Sequence, residues 1–189
     1  MPSLRPRTRD NTIMKIAVFC SANDNISPEY FEMTRSFGEF LAKRGDTLVY
    51  GGCNSGLMEC VAKAAFQAGA HTIGVLPTMV EENVQPSQYL SERIDVSNLS
   101  ERKQVMMDLS DVFVALPGGV GTLDEIFSVV ASNTIGYHHK RTILYNMCGF
   151  WDKTLEMLIG MKEAGMLRGE MSDYIVCVDS LEEMATYLK

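Results

Sequence analysis

One stretch of the sequence combines a glycine-rich turn with a carboxylate. Residues 117–125 read PGGVGTLDE; they follow the apolar run 112–116 and lead into the amphipathic run 123–135. This order predicts a strand, a tight turn and a helix. Glycines let backbone N–H groups approach a ligand, and a helix N-terminus carries unpaired donors and a partial positive charge. The turn therefore predicts a phosphate site with these binding residues: Gly118, Gly119, Val120, Gly121 and Thr122.

Glu125, the last residue of this stretch, has two interpretations. Together with Thr122 it matches a capping box, in which a threonine caps the helix and the glutamate three residues later reaches back to the cap. Beside a bound ligand, the same carboxylate could act as a base or stabilise positive charge. The stretch alone does not decide between capping and chemistry.

A second glycine-rich turn, residues 51–56 (GGCNSG), joins the second predicted strand to the second predicted helix. Gly52, Ser55 and Gly56 would either bind an anion or serve a tight turn that needs left-handed residues. Parallel strands bring such turns to one sheet edge, which favours a shared nucleotide pocket. The first turn, residues 20–24 (CSAND), lacks the G-x-G-x-x-G pattern, so a nicotinamide-dependent dehydrogenase is disfavoured.

Two cations stand at the start of the helix before the Pro117 strand. Arg102 and Lys103 precede Met106, which we expect in the core. A solvated basic pair is one interpretation, but cations are electrostatically favoured at the other end of a helix. Their position suggests a task outside helix stability.

Strands and helices alternate along the chain. Continuous apolar runs, typical of buried parallel strands, predict strands at 16–20, 48–50, 73–76, 112–116, 143–145 and 175–178. Amphipathic runs with capping signals predict helices at about 28–43, 57–68, 100–109, 123–135, 151–164 and 181–188. The expected fold is a single-domain, Rossmann-like, doubly wound α/β domain over 13–189, with a mostly parallel sheet, helices on both faces and a disordered tail at 1–12.

Composition and charge disfavour several classes of function. The chain has 189 residues, 46% of them hydrophobic, and a formal charge of -7 with scattered Lys and Arg, so we expect neither a membrane span nor a nucleic-acid-binding face. Lys15 interrupts the first apolar run, which favours a strand over a signal peptide. The five cysteines stand singly, which predicts buried free thiols in a reducing cytoplasm. The three histidines show no metal-ligand spacing, so no metal site is expected.

These segments together resemble the Lonely Guy family of phosphoribohydrolases, which release cytokinin bases from riboside 5'-monophosphates and are often labelled lysine decarboxylases. Residues 117–125 meet the family pattern P-G-G-x-G-T-x-x-E in full, and Arg102, Lys103 and Met106 meet R-K-x-x-M. Residues 51–59 follow G-G-G-x-x-G-L-M-G, except that Cys53 and Glu59 stand where glycines are usual. The similarity runs from about residue 15 onward.

The chain departs from the family elsewhere. Ser21 stands where the family often has glycine, and residues 132–140 (SNTIGYHHK) lack the tryptophan and glutamine of W-x-Q-L-G-x-H-x-K. Plant members commonly carry a glutamate soon after the L-P that corresponds to Leu76-Pro77, whereas this chain continues with TMVEE at residues 78–82. The phosphoribose end of the site therefore matches the family and the base end is altered.

The resemblance implies hydrolysis of the N-glycosidic bond of AMP or an N6-substituted AMP, giving free base and ribose 5-phosphate without metal or cofactor. Glu125 and Arg102 would be catalytic, Lys103 would hold phosphate, Asp124 would hold ribose hydroxyls, and Ser21 would contact the substrate. A homodimer is also implied. The alternative is a non-enzymatic nucleotide- or pterin-cofactor-binding module on the same fold. Lysine decarboxylation is disfavoured, because no lysine stands in a recognisable pyridoxal phosphate setting.

Overall fold

The computed structural model describes residues 13–78 and 85–189. The strands in these residues are β1 (Lys15–Phe19), β2 (Thr47–Tyr50), β3 (Thr72–Pro77), β4 (Glu92–Val96), β5 (Val112–Ala115), β6 (Thr142–Tyr145) and β7 (Ile175–Val178). They form one sheet in the order β4-β3-β2-β1-β5-β6-β7, and every neighbouring pair is parallel. The predicted doubly wound α/β fold is confirmed.

Helices cover both faces of this sheet. They are α1 (Pro28–Arg44), α2 (Gly56–Gln67), α3 (Leu99–Leu109), α4 (Val120–Thr134), α5 (Asp152–Glu163) and α6 (Leu181–Tyr187). Phe37 of α1 and Leu57 of α2 pack in one apolar core, whereas Met106 of α3 and Ile126 of α4 pack in the other. α6 packs with α1 and α2 on the first face, and α5 packs with α3 and α4 on the second.

The change of face occurs between β1 and β5, which are neighbours in the sheet although they are far apart in sequence. In doubly wound sheets the loops diverge at such a switch point and leave a crevice at the carboxyl ends of the strands. Here the two loops are also joined, because the N–H of Ser21 donates to the carbonyl of Pro117 at 3.0 Å. The fold thus brings the turn after β1 beside the turn after β5.

The structure corrects three details of the sequence analysis. β4 was not predicted, because its sequence ERIDV is mostly polar and exposed, as suits an edge strand. α4 begins at Val120, three residues before the predicted start, because Gly119 stands at its N-cap in an extended conformation. All five cysteines are free as predicted, but Cys148 is exposed, since it lies in a 3₁₀ turn (Met147–Gly149) rather than in a strand or helix core.

Two predictions lie outside the described residues: the disordered tail at 1–12, and the altered segment 78–82 apart from Thr78. The division into a tail and one domain stays a prediction. Among the described residues, no helix has the length and apolar character needed to cross a bilayer.

Candidate active site

A cleft of about 300 Å³ lies at the switch point. Its walls come from the turn after β1, the first turn of α2, the start of α3 and the start of α4. The lining residues are Cys20, Ser21, Ala22, Asn23, Met58, Arg102, Gly119, Gly121, Thr122 and Glu125. The structure therefore brings together the two predicted catalytic residues, Ser21 and part of the first glycine-rich turn.

Arg102 and Glu125 form an ion pair inside this cleft. Nη2 of Arg102 donates to Oε1 of Glu125 at 2.7 Å, and the side chains are only 17% and 5% exposed. The pair joins α3 to α4, which flank β5 in sequence. Nε of Arg102 is also buried and has no hydrogen-bond partner in the described residues. In the described residues, Nη2 alone of the three guanidinium nitrogens therefore has a hydrogen-bond partner in the protein.

The capping-box interpretation of Thr122 and Glu125 is wrong. Gly119 stands at the N-cap, so Thr122 is already inside α4, and no side chain caps this helix. The Glu125 carboxylate turns toward Arg102 and not toward the helix terminus. The helix starts three residues earlier than a threonine cap would require, which leaves the glutamate free for another role.

Burial sets the electrostatics of this carboxyl group. Burial raises the pKa of Glu125 to about 7, although the positive charge of Arg102 opposes the rise. A carboxyl group that titrates near neutral pH can both hold a negative charge and exchange a proton during a reaction. Burial also raises the pKa of Cys20, with the nearby Glu125 contributing, so this cleft residue stays a neutral thiol.

The start of α4 presents open backbone donors. In the described part of the chain, the N–H groups of Val120, Gly121 and Thr122 donate to no protein acceptor. A methyl group on Gly119 or Gly121 would meet nothing within 4 Å, and neither residue has a positive φ. Packing and backbone conformation therefore do not explain these two glycines, whereas close approach of a ligand to the backbone would. Gly118 differs, because a side chain there would overlap Thr122.

The second glycine-rich turn is used differently. The N–H of Gly56 donates to Oδ1 of Asp24 at 2.8 Å, and the N–H of Asn54 donates to the carbonyl of Gln85 at 3.1 Å. Gly52 and Gly56 have positive φ values of 74° and 58°. These contacts and angles match the tight-turn interpretation. Gly52, Ser55 and Gly56 do not line the cleft, and their contact with a substrate stays a prediction.

Lys103 and Asp124, predicted to hold phosphate and ribose hydroxyls, form an ion pair with each other, and their contact with a substrate stays a prediction. Nζ of Lys103 lies 2.8 Å from both carboxylate oxygens of Asp124 and 3.0 Å from Oγ of Ser128. Neither Lys103 nor Asp124 lines the cleft. The pair sits one residue away from Arg102 and Glu125 on the same two helices.

Four of the residues that line the cleft were not predicted as site residues: Cys20, Ala22, Asn23 and Met58. The N–H of Asn23 donates to Oγ of Ser21 at 3.0 Å, which shapes the turn after β1. The position of this turn in the sequence could have indicated it as a site: it follows a strand, so it lies at the same edge of the parallel sheet as the two glycine-rich turns. The altered segment 132–140 begins at the other end of α4, so its residues do not line the cleft of their own chain.

The described residues offer no obvious metal site. Among residues 13–78 and 85–189, no group of three or more His, Cys, Asp or Glu side chains is arranged to hold a metal ion.

Comparison with known proteins agrees with the motifs. The family model described as "Possible lysine decarboxylase" matches residues 58–188. A cytokinin riboside 5'-monophosphate phosphoribohydrolase from Mycobacterium tuberculosis is 35% identical over 168 residues, 89% of each chain. An enzyme of the same name from Arabidopsis thaliana is 31% identical over 180 residues, 95% of this chain and 84% of the relative.

Solved structures share the fold. The molybdenum cofactor carrier protein of Chlamydomonas reinhardtii superposes with a TM-score of 0.71 at 22% identity, covering 94% of this chain and 98% of that one. At this identity the likeness extends to the fold alone. The matched family model and the curated relatives, by contrast, cover most of the sequence, including the PGGVGT turn, Arg102 and Glu125. The chain belongs to the Lonely Guy family of cytokinin riboside 5'-monophosphate phosphoribohydrolases.

Proposed function

We propose that this protein hydrolyses the N-glycosidic bond of a nucleoside 5'-monophosphate, AMP or an N6-substituted AMP, to a free base and ribose 5-phosphate. The observation that carries the proposal is the buried Arg102–Glu125 pair, which faces a cleft beside unpaired N–H groups at the start of α4. This arrangement offers an anion site and a carboxylate within one small cavity.

The phosphate would bind at the start of α4. The N–H groups of Gly121 and Thr122 are unpaired there in the described residues, and the helix dipole adds a partial positive charge. Gly119 leaves the backbone uncovered, so phosphate oxygens can reach it. Ser21 and Asn23 on the opposite wall would contact the ribose or phosphate.

The chemistry would be carried by Glu125. Breaking the bond between the anomeric carbon and the base leaves its electron pair on the base and positive charge on the ribose. A carboxylate beside that carbon stabilises the charge and can deprotonate the attacking water. The proton that the water loses balances the proton that the departing base gains.

Arg102 would act as a fixed positive charge. A guanidinium is a poor proton donor, because its pKa is about 12 or higher. The guanidinium donors that are not bound to Glu125 would stabilise negative charge on the departing base or on the phosphate. Its pairing with Glu125 also keeps that carboxyl group partly ionised despite burial.

Lysine decarboxylation has little support, despite the description of the family model. That reaction needs a lysine that forms a Schiff base with pyridoxal phosphate. No lysine lines the cleft in the described residues, and the nearby Lys103 is bound to Asp124.

A panel of nucleotides tests the proposal. The protein is incubated in EDTA with nucleoside 5'-monophosphates, including AMP and N6-isopentenyl-AMP, and with the matching nucleosides, and free base and ribose 5-phosphate are measured. We expect cleavage of at least one monophosphate. The nucleosides should bind poorly, because they have no phosphate to occupy the proposed site at the start of α4. Equal turnover of adenosine and AMP would contradict the phosphate site. Activity lost in EDTA and restored by a divalent ion would contradict the metal-free mechanism.

Tight binding of nucleotides without turnover of any of them would favour the alternative, a nucleotide- or pterin-cofactor-binding module. The fold admits this alternative, since a molybdenum cofactor carrier shares it. The buried Glu125 favours the enzyme, because an anionic ligand gains nothing from a second negative charge in the cleft.

We also propose that the enzyme acts in the cytoplasm as a homodimer. Five free thiols suit a reducing compartment. Apolar side chains that a second copy could cover are exposed on α5 and just after α4, among them Met157, Met161 and Ile135.

A further inference from the structure

Lys103 has no donor left for a substrate. A lysine ammonium carries three N–H donors. Nζ of Lys103 has three partners in the described residues: the two oxygens of Asp124, each at 2.8 Å, and Oγ of Ser128 at 3.0 Å. Phosphate binding by Lys103 would therefore require the loss of at least one of these contacts.

The Lys103 contacts lie beside the catalytic pair. Lys103 follows Arg102 on α3, and Asp124 precedes Glu125 on α4, so two ion pairs connect the same two helices next to each other. In the part of the chain that the structure describes, no other salt bridge joins α3 to α4.

Arg102 needs such support. A single hydrogen bond joins it to Glu125, and its Nε has no partner in the described residues. Its own contacts therefore fix the guanidinium weakly, and its distance from Glu125 depends on how α3 lies against α4. Misplacement of a catalytic group by about 1 Å can cost about a hundredfold in rate.

We infer that Lys103, with Asp124 and Ser128, is a positioning residue that holds α3 against α4 and so keeps Arg102 on Glu125, and that it is not a phosphate ligand. This inference rests on the proposed function for its kinetic consequences. It replaces the roles that family resemblance implied for Lys103 and Asp124.

Kinetics of Lys103→Met, Asp124→Ala and the double variant test the inference. Each single variant should lower kcat about ten- to a hundredfold while KM for AMP changes less than about threefold. The double variant should lose no more kcat than either single variant, because the effects of residues that act as a unit do not add. Ser128→Ala, which removes one of the three contacts, should have a smaller effect in the same direction. The control pair is Lys153→Met and Glu156→Ala, an exposed ion pair on α5 whose loss should leave both constants unchanged.

A phosphate ligand would behave differently. In that case Lys103→Met would raise KM for AMP about tenfold or more and would retain kcat. Asp124→Ala would not raise KM in this way, and the effects of the two substitutions would add in the double variant. This outcome would overturn the inference.

A measurement without substrate separates this inference from the proposed function. Glu125 is titrated by ¹³C NMR in the wild type and in Asp124→Ala; the charged groups acting on it are Arg102, Asp124 and Lys103. Loss of the Asp124 charge by itself would lower the Glu125 pKa, whereas release of Arg102 would raise it. We expect a rise, and a fall would overturn the inference. If the wild type cleaves no nucleotide, the proposed function fails, but the titration still decides the role of Lys103.

Discussion

At the scale of single residues, Glu125 is the most costly group in the cleft. A carboxylate that is 5% exposed has lost most of its hydration, and one guanidinium only partly compensates. Replacing such a pair by apolar residues is often neutral or stabilising, so stability alone does not explain it. A buried carboxyl group with a shifted pKa in a cleft is typical of a catalytic acid or base.

Replacing Glu125 by glutamine should separate chemistry from packing. Glutamine keeps the shape and can still accept a hydrogen bond from Arg102, but it cannot be a carboxylate base. We expect kcat to fall by about a hundredfold or more, with the Kd for AMP within a few-fold by calorimetry. Glu156→Gln on the exposed face of α5 is the matched control and should change neither kcat nor the Kd for AMP. A nearly fully active Glu125→Gln would leave the carboxylate without a role.

The pH dependence of kcat/KM should report the same group. Since the reaction needs the ionised carboxylate and the pKa of Glu125 is raised to about 7, activity should rise with pH through about 7. Arg102 opposes that shift, so Arg102→Met should move the midpoint to higher pH as well as lower the rate. If the midpoint of the acid limb is at the same pH in Arg102→Met and in the wild type, Glu125 is not the group that controls this limb.

At the scale of secondary structure, the sequence predicted most elements because most carry their own local signal. Six of the seven strands in the described residues are apolar runs, and helix ends such as Gly45, left-handed at φ 79°, follow known capping preferences. β4 has no such signal, since an edge strand can be polar. Family resemblance implied that Arg102 and Glu125 act together. The contacts of Lys103 with Asp124 and Ser128 were not predicted, because local periodicity does not show which residues of two helices meet.

The first residue of α2 offers a test of a structural glycine. Gly56 has φ 58°, and a methyl group there would lie 2.5 to 2.7 Å from backbone atoms of residues 21–23. Gly56→Ala should lower the free energy of unfolding by at least about 1–2 kcal/mol, or the melting temperature by about 2–4 °C per kcal/mol. Gly160→Ala on α5 is the control, since its methyl group meets nothing within 4 Å and a helical alanine should stabilise by about 0.5–1 kcal/mol. Equal stability of the two variants in thermal melts would contradict this account.

At the scale of the whole molecule, the topology creates the cleft. No single segment contains the site: its walls come from the turn after β1 and from the starts of α2, α3 and α4, and the β1–β5 adjacency brings the turn after β1 beside the start of α4. The Arg102–Glu125 pair then joins α3 to α4 on the wall that carries the proposed chemistry. The site can therefore be no more rigid than the packing of these two helices on the sheet.

The proposed homodimer can be measured directly. Met157, Met161 and Ile135 are 43%, 41% and 57% exposed, and these are the apolar side chains that we expect a second copy to cover. Sedimentation should give twice the chain mass of 21.0 kDa, and Met161→Asp should shift the equilibrium toward the monomer. Sedimentation of the wild type at the monomer mass over the working concentration range would contradict the dimer.

The charges of β4 have a consequence for how copies of this chain can associate. This strand ends one side of the sheet, and an unprotected strand there could pair with the same strand of another molecule and seed aggregation. Glu92 and Asp95 are exposed along it, and Arg93 pairs with Asp95 at 2.7 Å, so a second copy of the strand would meet fixed charges rather than an apolar ribbon. This edge of the sheet is thereby protected against pairing with the same strand of a second molecule, whereas the opposite edge, β7, is apolar and carries no such charges.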